Sequence, residues 1–218
     1  MQPLRLLHRD ERLVVVDKPA GLLSVSDPSA GERAVPELLA EQGLVAASVH
    51  RLDREVSGVL LLALDDEALH ALQELFRARE VEKVYWGMAA GRLEPCDGQL
   101  AFPILEEAGG ARVSARGKPA RTRYRTLERY RVTSELELTL LTGRKNQIRV
   151  HLAHAGHPLV GERKYARGRD AVLALRSRRV ALHASRLALV PPWSGDRLVI
   201  EAPLPADLCE LRERARGG

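Results

Sequence analysis

Between His50 and Ala63 the chain changes character within a few residues. His50-Arg51-Leu52-Asp53-Arg54-Glu55 carries five ionisable groups in six positions, and Val59 to Leu64 is an uninterrupted apolar run. Such a run, flanked by Gly58 and by Asp65-Asp66, reads as a buried strand, and the rest of the chain is organised around it. At its mouth Asp53 stands between Arg51 and Arg54. A carboxylate so placed can be held ionised by its neighbours. Two readings are open, a solvated turn with a fortuitous ion pair or a catalytic acid, because perturbed groups occur in structural networks as well as in active sites.

The flanking segments alternate between strand and helix signals. Leu13-Val14-Val15-Val16-Asp17 is a β-branched run, and Lys18-Pro19-Ala20-Gly21 ends it in a turn. Asp27 to Arg33 reads as a loop, and Val35 to Gln42 as a short helix ended by Gly43. From Asp65 to Glu80 apolar residues fall at 68, 69, 72, 75 and 76, with acids in the first turn and Arg77 and Arg79 in the last. That is an amphipathic helix placed to cover a sheet. Glu82 to Gly91 reads as a strand. Residues 92–116, rich in Gly, Pro and acids, read as an irregular connection.

Lys118 to Leu127 alternates basic with smaller residues, which puts its arginines on one strand face. Leu136 to Leu140 is a half-buried strand. A strand breaks at Gly143, and a helix starts near Asn146 with apolar positions at 148, 152 and 155. Arg144, Lys145 and Arg149 around that helix start make it a ready anion site. Glu210 to Gly218 is polar and is expected to fray.

Charge adds a partner class. The formal net charge of the 218 residues is +5, and the distribution says more than the total. Arg112 to Arg131 holds eight Lys or Arg against Glu128 alone, and Arg163 to Arg179 holds seven against Asp170 alone. Segments of this kind can neutralise several backbone phosphates, which points to a nucleic acid. Cys96 and Cys209 form no CxxC pair, as expected of a reduced, cytoplasmic protein. No signal peptide and no apolar run of membrane-spanning length is visible.

Four motifs carry a resemblance. His50-Arg51-Leu52-Asp53, two residues further on Val56-Ser57-Gly58, and the aliphatic run after it form the first, with Val56 where threonine is usual. Lys83-Val84-Tyr85 leading to Gly87 is the second, and Lys118-Pro119-Ala120-Arg121-Thr122-Arg123-Tyr124 the third. Thr142-Gly143-Arg144-Lys145-Asn146-Gln147-Ile148-Arg149-Val150-His151-Leu152 is the fourth, with Asn146 where histidine is common. Asp10 to Gly21, Gly156 to Tyr165, Leu182 to Leu187 and Ala202 to Pro205 continue it. In this order they resemble the RluA-type pseudouridine synthases, over roughly Arg9 to Asp207.

The resemblance implies an α+β fold: a large mixed, mostly antiparallel sheet with flanking helices and a central active-site cleft. It implies one catalytic domain over 1–218 without an N-terminal S4 module, so that the domain itself recognises its substrate. The implied reaction is cofactor-free isomerisation of uridine to pseudouridine in structured ribosomal or transfer RNA. Asp53 is then the catalytic carboxylate, Tyr85 packs on the target base, and Arg149 pairs with Asp53. Arg51 fills the space vacated by the extruded base or simply bridges to Asp53 or Glu55. Arg144, Lys145, Asn146, Gln147, Lys118, Arg121 and Arg123 are implied in RNA binding. A monomer without membrane or small-molecule partner is expected. The alternative is a catalytically silent RNA-binding protein of the same fold.

Other chemistries fit less well. His151, His154 and His157 drift around a helix and have no Cys or carboxylate to complete a metal set. No Walker-A, Rossmann or GxSxG pattern is present. A glycosidase with paired carboxylates is disfavoured by the basic neighbours of Asp53.

Overall fold

The computed structural model describes residues 3–26, 31–166 and 177–217. Part of the loop expected over 27–33, and most of the basic segment at 163–179, lie outside the described residues. Among the described residues there are twelve strands and four helices, an α+β fold with a large, mostly antiparallel sheet. Two compact units form, one of Met1–Glu82 with Ala184–Pro203 and the other of Lys83–His183 with Leu204–Gly218. No described helix is long and apolar enough to cross a membrane.

In the first unit β1 (Arg5–Arg9), β2 (Leu13–Lys18), β4 (Ser57–Ala63) and β11 (Leu182–Leu189, from Ala184 onward) lie in that order, with β3 (Ala47–Ser48) added to β4 and β12 (Leu198–Glu201) to β11. β4 is the apolar run expected to be a buried strand, and every one of its residues is buried. β2 pairs with it antiparallel, Val15 opposite Leu61 and Val16 opposite Leu60. Burying one such leucine contributes about 1.5–3 kcal/mol. Helix α1 (Val35–Glu41) is short and starts with a proline in its first turn, where the missing N–H has no partner to lose.

Helix α2 (Asp66–Ala78) covers β4 with Ala68 and Leu72, in a core with Leu13, Val15, Val59, Leu61, Leu187 and Ile200. Asp65 caps α2 by accepting from Ala68 N at 2.7 Å, and Arg79 ends it in the left-handed conformation. The helix predicted over 65–80 is thus present with both ends defined. At Gly58 (φ +116°) any Cβ would lie 2.2 Å from Ala184 O, so only glycine fits where β4 begins.

The second unit orders β5 (Glu82–Ala90, from Lys83), β10 (Thr133–Leu140), β9 (Thr122–Arg129) and β6 (Asp97–Leu100), with a separate hairpin of β7 (Ile104–Glu107) and β8 (Gly110–Val113). The connection expected to be irregular at 92–116 therefore contains three short strands. β9 alternates as its sequence implied: Thr122 and Tyr124 are buried, Arg123 and Arg125 exposed. Helix α3 (Gln147–His154) follows the turn after β10. The closing strand expected at Leu182–Leu187 falls within β11, but the one expected at Ala202–Pro205 does not form there: β12 ends at Glu201, and Ala202-Pro203-Leu204-Pro205, with two prolines that cannot donate to a ladder, leads on into helix α4 (Ala206–Gly217). The tail does not fray there. Leu208, Leu211 and Ala215 pack on Trp86, Met88, Val160 and Ala181.

Candidate active site

Asp53 stands half-buried in the loop between β3 and β4. Backbone and side-chain bonds fix that loop on either side of it. Ser24 Oγ donates to Leu52 O and accepts from Leu52 N, both at 3.0 Å, and Ser48 Oγ donates to Ser24 O. Val56 N donates to Asp53 O at 3.0 Å and closes a turn. Gly21 N donates to Arg54 O at 2.7 Å, and Arg54 Nε donates back to Gly21 O at 3.1 Å.

Lys18 is fully buried at the end of β2. Its Nζ donates to Pro19 O, Leu22 O and Arg54 O at 3.0, 2.8 and 3.4 Å. A buried ammonium is tolerable only with such acceptors, so Lys18 draws the 19–22 turn and the Asp53 loop onto one point. His50 stacks on Phe76 at 4.7 Å, and its Nε2 accepts from Leu61 N at 3.1 Å. Arg51 is exposed, and among the described residues no ion pair engages it.

In the second unit Tyr85 lies on β5, 7% exposed and opposite Leu138. Arg149 lies in the first turn of α3. It is 5% exposed and makes a two-pronged ion pair with fully buried Glu162: Nε to Oε2 at 2.6 Å and Nη2 to Oε1 at 2.9 Å. Its guanidinium carbon also lies 5.4 Å from the centre of the Tyr165 ring. The Tyr165 hydroxyl donates to Asn146 Oδ1 at 2.6 Å. Asn146 itself is left-handed (φ 54°), a conformation asparagine adopts at low cost. In place of the usual histidine, this chain therefore has an amide acceptor for a tyrosine.

Gln147 departs from what its motif implied. It is 2% exposed, and its amide is fully used within the protein. Nε2 donates to Arg121 O and Thr122 Oγ1 at 2.9 and 3.0 Å, and Oε1 accepts from Thr142 Oγ1 and Arg144 N at 2.7 and 3.1 Å. Four bonds exhaust an amide, so Gln147 ties α3 to β9 and has nothing left for RNA. Next to it, His151 is completely buried between Thr122 Oγ1 at 3.0 Å and Phe102 O at 2.9 Å. Burial pulls its pKa below the ordinary imidazole value, against the opposing pull of the Phe102 carbonyl. His154 packs edge-on to Phe102, and His157 lies beyond the helix with Nδ1 at 2.9 Å from Ala90 O.

The basic candidates of this unit are contiguous. Arg121 N donates to Thr142 Oγ1 at 2.8 Å and Arg144 Nε to Pro119 O at 3.3 Å, which brings Lys118, Arg121 and Arg123 beside the Arg144-Lys145-Asn146 turn. The N-terminal end of α3 already meets a carboxylate: Lys145 N donates to Glu106 Oε1 at 3.3 Å. Lys145 Nζ reaches the hairpin carbonyls of Glu107 and Ala108 at 3.3 and 3.5 Å. Lys18, Ser24 and Glu162 were not singled out from the sequence. The one sequence signal for Glu162 is its place between Gly161 and Tyr165 in the Gly156–Tyr165 motif.

The profile of the RNA pseudouridylate synthase family matches residues 12–154. A ribosomal large subunit pseudouridine synthase D of Nitrosomonas europaea is 39% identical over 98% of this chain and 66% of its own length, so the chain spans just under two thirds of that relative. A dual-specificity RNA pseudouridine synthase of Pasteurella multocida is 36% identical over 92% of this chain and 93% of the relative. The solved structure of human RNA pseudouridylate synthase domain containing 4 superposes with a TM-score of 0.82 at 29% identity, covering 97% of this chain and 93% of that one. The chain belongs to the RNA pseudouridylate synthase family, whose members are isomerases.

Proposed function

We propose that this chain isomerises uridine to pseudouridine in RNA of the large ribosomal subunit, with Asp53 as the catalytic carboxylate and Tyr85 and Arg149 as its partners in the reaction. The observation that carries this is Asp53 itself: a half-exposed carboxylate on a loop pinned at Leu52, Arg54 and Val56, in a chain of this family. A group that must meet one carbon of a bound nucleotide works best from such a fixed support.

The isomerisation conserves every atom. The N1–C1′ bond breaks, the uracil turns, C5 bonds to C1′, and the C5 proton leaves while N1 gains one. Three routes start from Asp53: attack on C1′, attack on C6, or removal of a sugar proton to form a glycal. Tyr85 supplies a planar surface for the base. The uridine must first leave its stack, and the exposed guanidinium of Arg51 suits the space it vacates. Lys118, Arg121, Arg123, Arg144, Lys145 and Asn146 form the RNA-facing set, without Gln147. The contacts of Lys145 to the hairpin are long and exposed, so a phosphate can replace them at little cost.

Tritium release from RNA labelled at uridine C5 tests the reading. Wild type is expected to release tritium, and Asp53→Ala to abolish release while RNA retention on filters persists. Undiminished release by Asp53→Ala removes that residue from the chemistry. RNA retention without release by wild type favours a silent binding protein. Transfer RNA is the second substrate to assay, because one relative is named as having dual specificity.

A further inference from the structure

Glu162 does more for Arg149 than neutralise it. Its carboxylate collects four N–H groups: Nε and Nη2 of Arg149, and the backbone N–H groups of Lys164 and Tyr165, which reach Oε1 at 2.8 and 3.2 Å. Two donors come from α3 and two from the loop that carries Glu162, so the carboxylate is the knot that ties them. That loop is attached in turn to β5. Val160 N donates to Met88 O at 2.8 Å, Ala89 bridges to Leu159, and Glu162 N donates to Leu159 O at 3.0 Å. At Gly161 (φ +80°) a Cβ would lie 2.0 Å from Arg179 O, so the chain passes there at a distance only glycine permits.

A continuous series of short bonds therefore runs from the strand bearing Tyr85, through Val160 and Glu162, to the guanidinium of Arg149. An arginine side chain alone has four rotatable bonds and loses considerable freedom when ordered. A two-pronged carboxylate pair fixes its plane as well as its position. Glu162 takes the Nε–Nη2 edge, and the Nη1 side of the same plane is turned away from it. The Tyr165 ring, steadied by Asn146, lies against that plane.

We propose that Glu162 is a positioning residue for the reaction: it holds the Arg149 guanidinium in one plane, in register with the strand that presents Tyr85, so that Arg149 enters the reaction already oriented. This rests on the reading that Arg149 and Tyr85 serve uridine isomerisation. Glu162 touches neither base nor sugar in this role. Its effect falls on kcat and passes through Arg149.

The test is a double-mutant cycle on tritium release under saturating and single-turnover conditions, with Glu162→Gln, Arg149→Lys and the pair. Arg149→Lys keeps the charge and loses the two-pronged geometry. Glu162→Gln is expected to lower kcat at least tenfold with KM for RNA within threefold of wild type. In the Arg149→Lys background the same change is expected to lower kcat less than twofold further, because the orientation is already gone. A purely structural role predicts that the two losses multiply, and that result overturns the proposal. So does a Glu162→Gln enzyme with kcat within twofold of wild type. Should Glu162→Gln fail to accumulate as folded protein, Glu162→Asp takes its place in the cycle with the same criterion of non-multiplying losses. Absence of release by wild type would overturn the underlying reading instead, which keeps the two failures apart.

Discussion

Gly58 joins the charged motif to the buried strand, and its requirement is steric. At φ +116° a side chain is strained, and a Cβ there would sit 2.2 Å from a backbone oxygen that cannot swing away. Gly58→Ala is expected to destabilise the protein by about 3 kcal/mol or more, from overpacking and backbone strain together. Urea unfolding measures it, and a loss under about 1 kcal/mol would contradict the close approach. His151 offers a second residue-level test. Burial lowers its folded-state pKa below the value of about 6.5 that it has when unfolded. The unfolded chain then takes up the proton first, so the stability tied to neutral His151 is complete above pH 6.5 and declines as pH falls below it. His151→Gln should flatten that decline, and an unchanged acid slope would mean His151 does not cause it. These residues also show where sequence reading stops. The strand behind Asp53 was legible because its apolar run is contiguous. Glu162 meets Arg149 across 13 positions of chain, and no spacing rule links a helix residue to a carboxylate on a later loop.

Among the elements, the strands and helices with strong periodicity were readable: β2, β4 and α2 lie where β-branched runs, helical spacing and caps put them, and β9 keeps the expected alternation but starts at Thr122, four residues after Lys118. The C-terminal helix was not. Its composition is mostly polar, and only Leu208, Leu211 and Ala215 carry its buried stripe. Those three suffice because both ends are pinned: Arg179 forms a two-pronged pair with Asp207 at 2.6 and 3.1 Å, and Arg216 meets Glu128 at 2.9 Å. Leu211→Ala should cost about 2–5 kcal/mol in denaturant unfolding, whereas a frayed tail would show no loss. The hairpin of β7 and β8 was missed for a related reason. Its strands are four residues each, and what holds its turn is remote in sequence, Lys145 and Lys164 reaching the carbonyls of residues 107 to 109.

At the scale of the whole molecule, the excess of positive charge is less useful than its pairing. Of the basic residues between 112 and 131, Arg112 is engaged by Glu107, Arg125 by Glu137 and Arg129 by Glu94. Among the described residues no ion pair engages Lys118, Arg121 or Arg123, and all three are exposed. With Arg144 and Lys145 they make five cations on adjoining segments. If each displaces the counterion of one phosphate, the logarithm of RNA affinity should fall with the logarithm of salt concentration with a slope of about −4. Removing any one of the five should reduce that slope by about 1 and weaken binding alike for different RNA sequences, since a phosphate contact carries no base information. Arg125→Ala is the control: its charge is already offset by Glu137 at 3.1 Å, so it should change the slope by less than half as much. Filter binding between 50 and 200 mM salt, a window of the kind in which such contacts are read, separates the two outcomes. Equal effects at Arg123 and Arg125 would mean that bulk charge, rather than the unpaired arc beside α3, draws the RNA in.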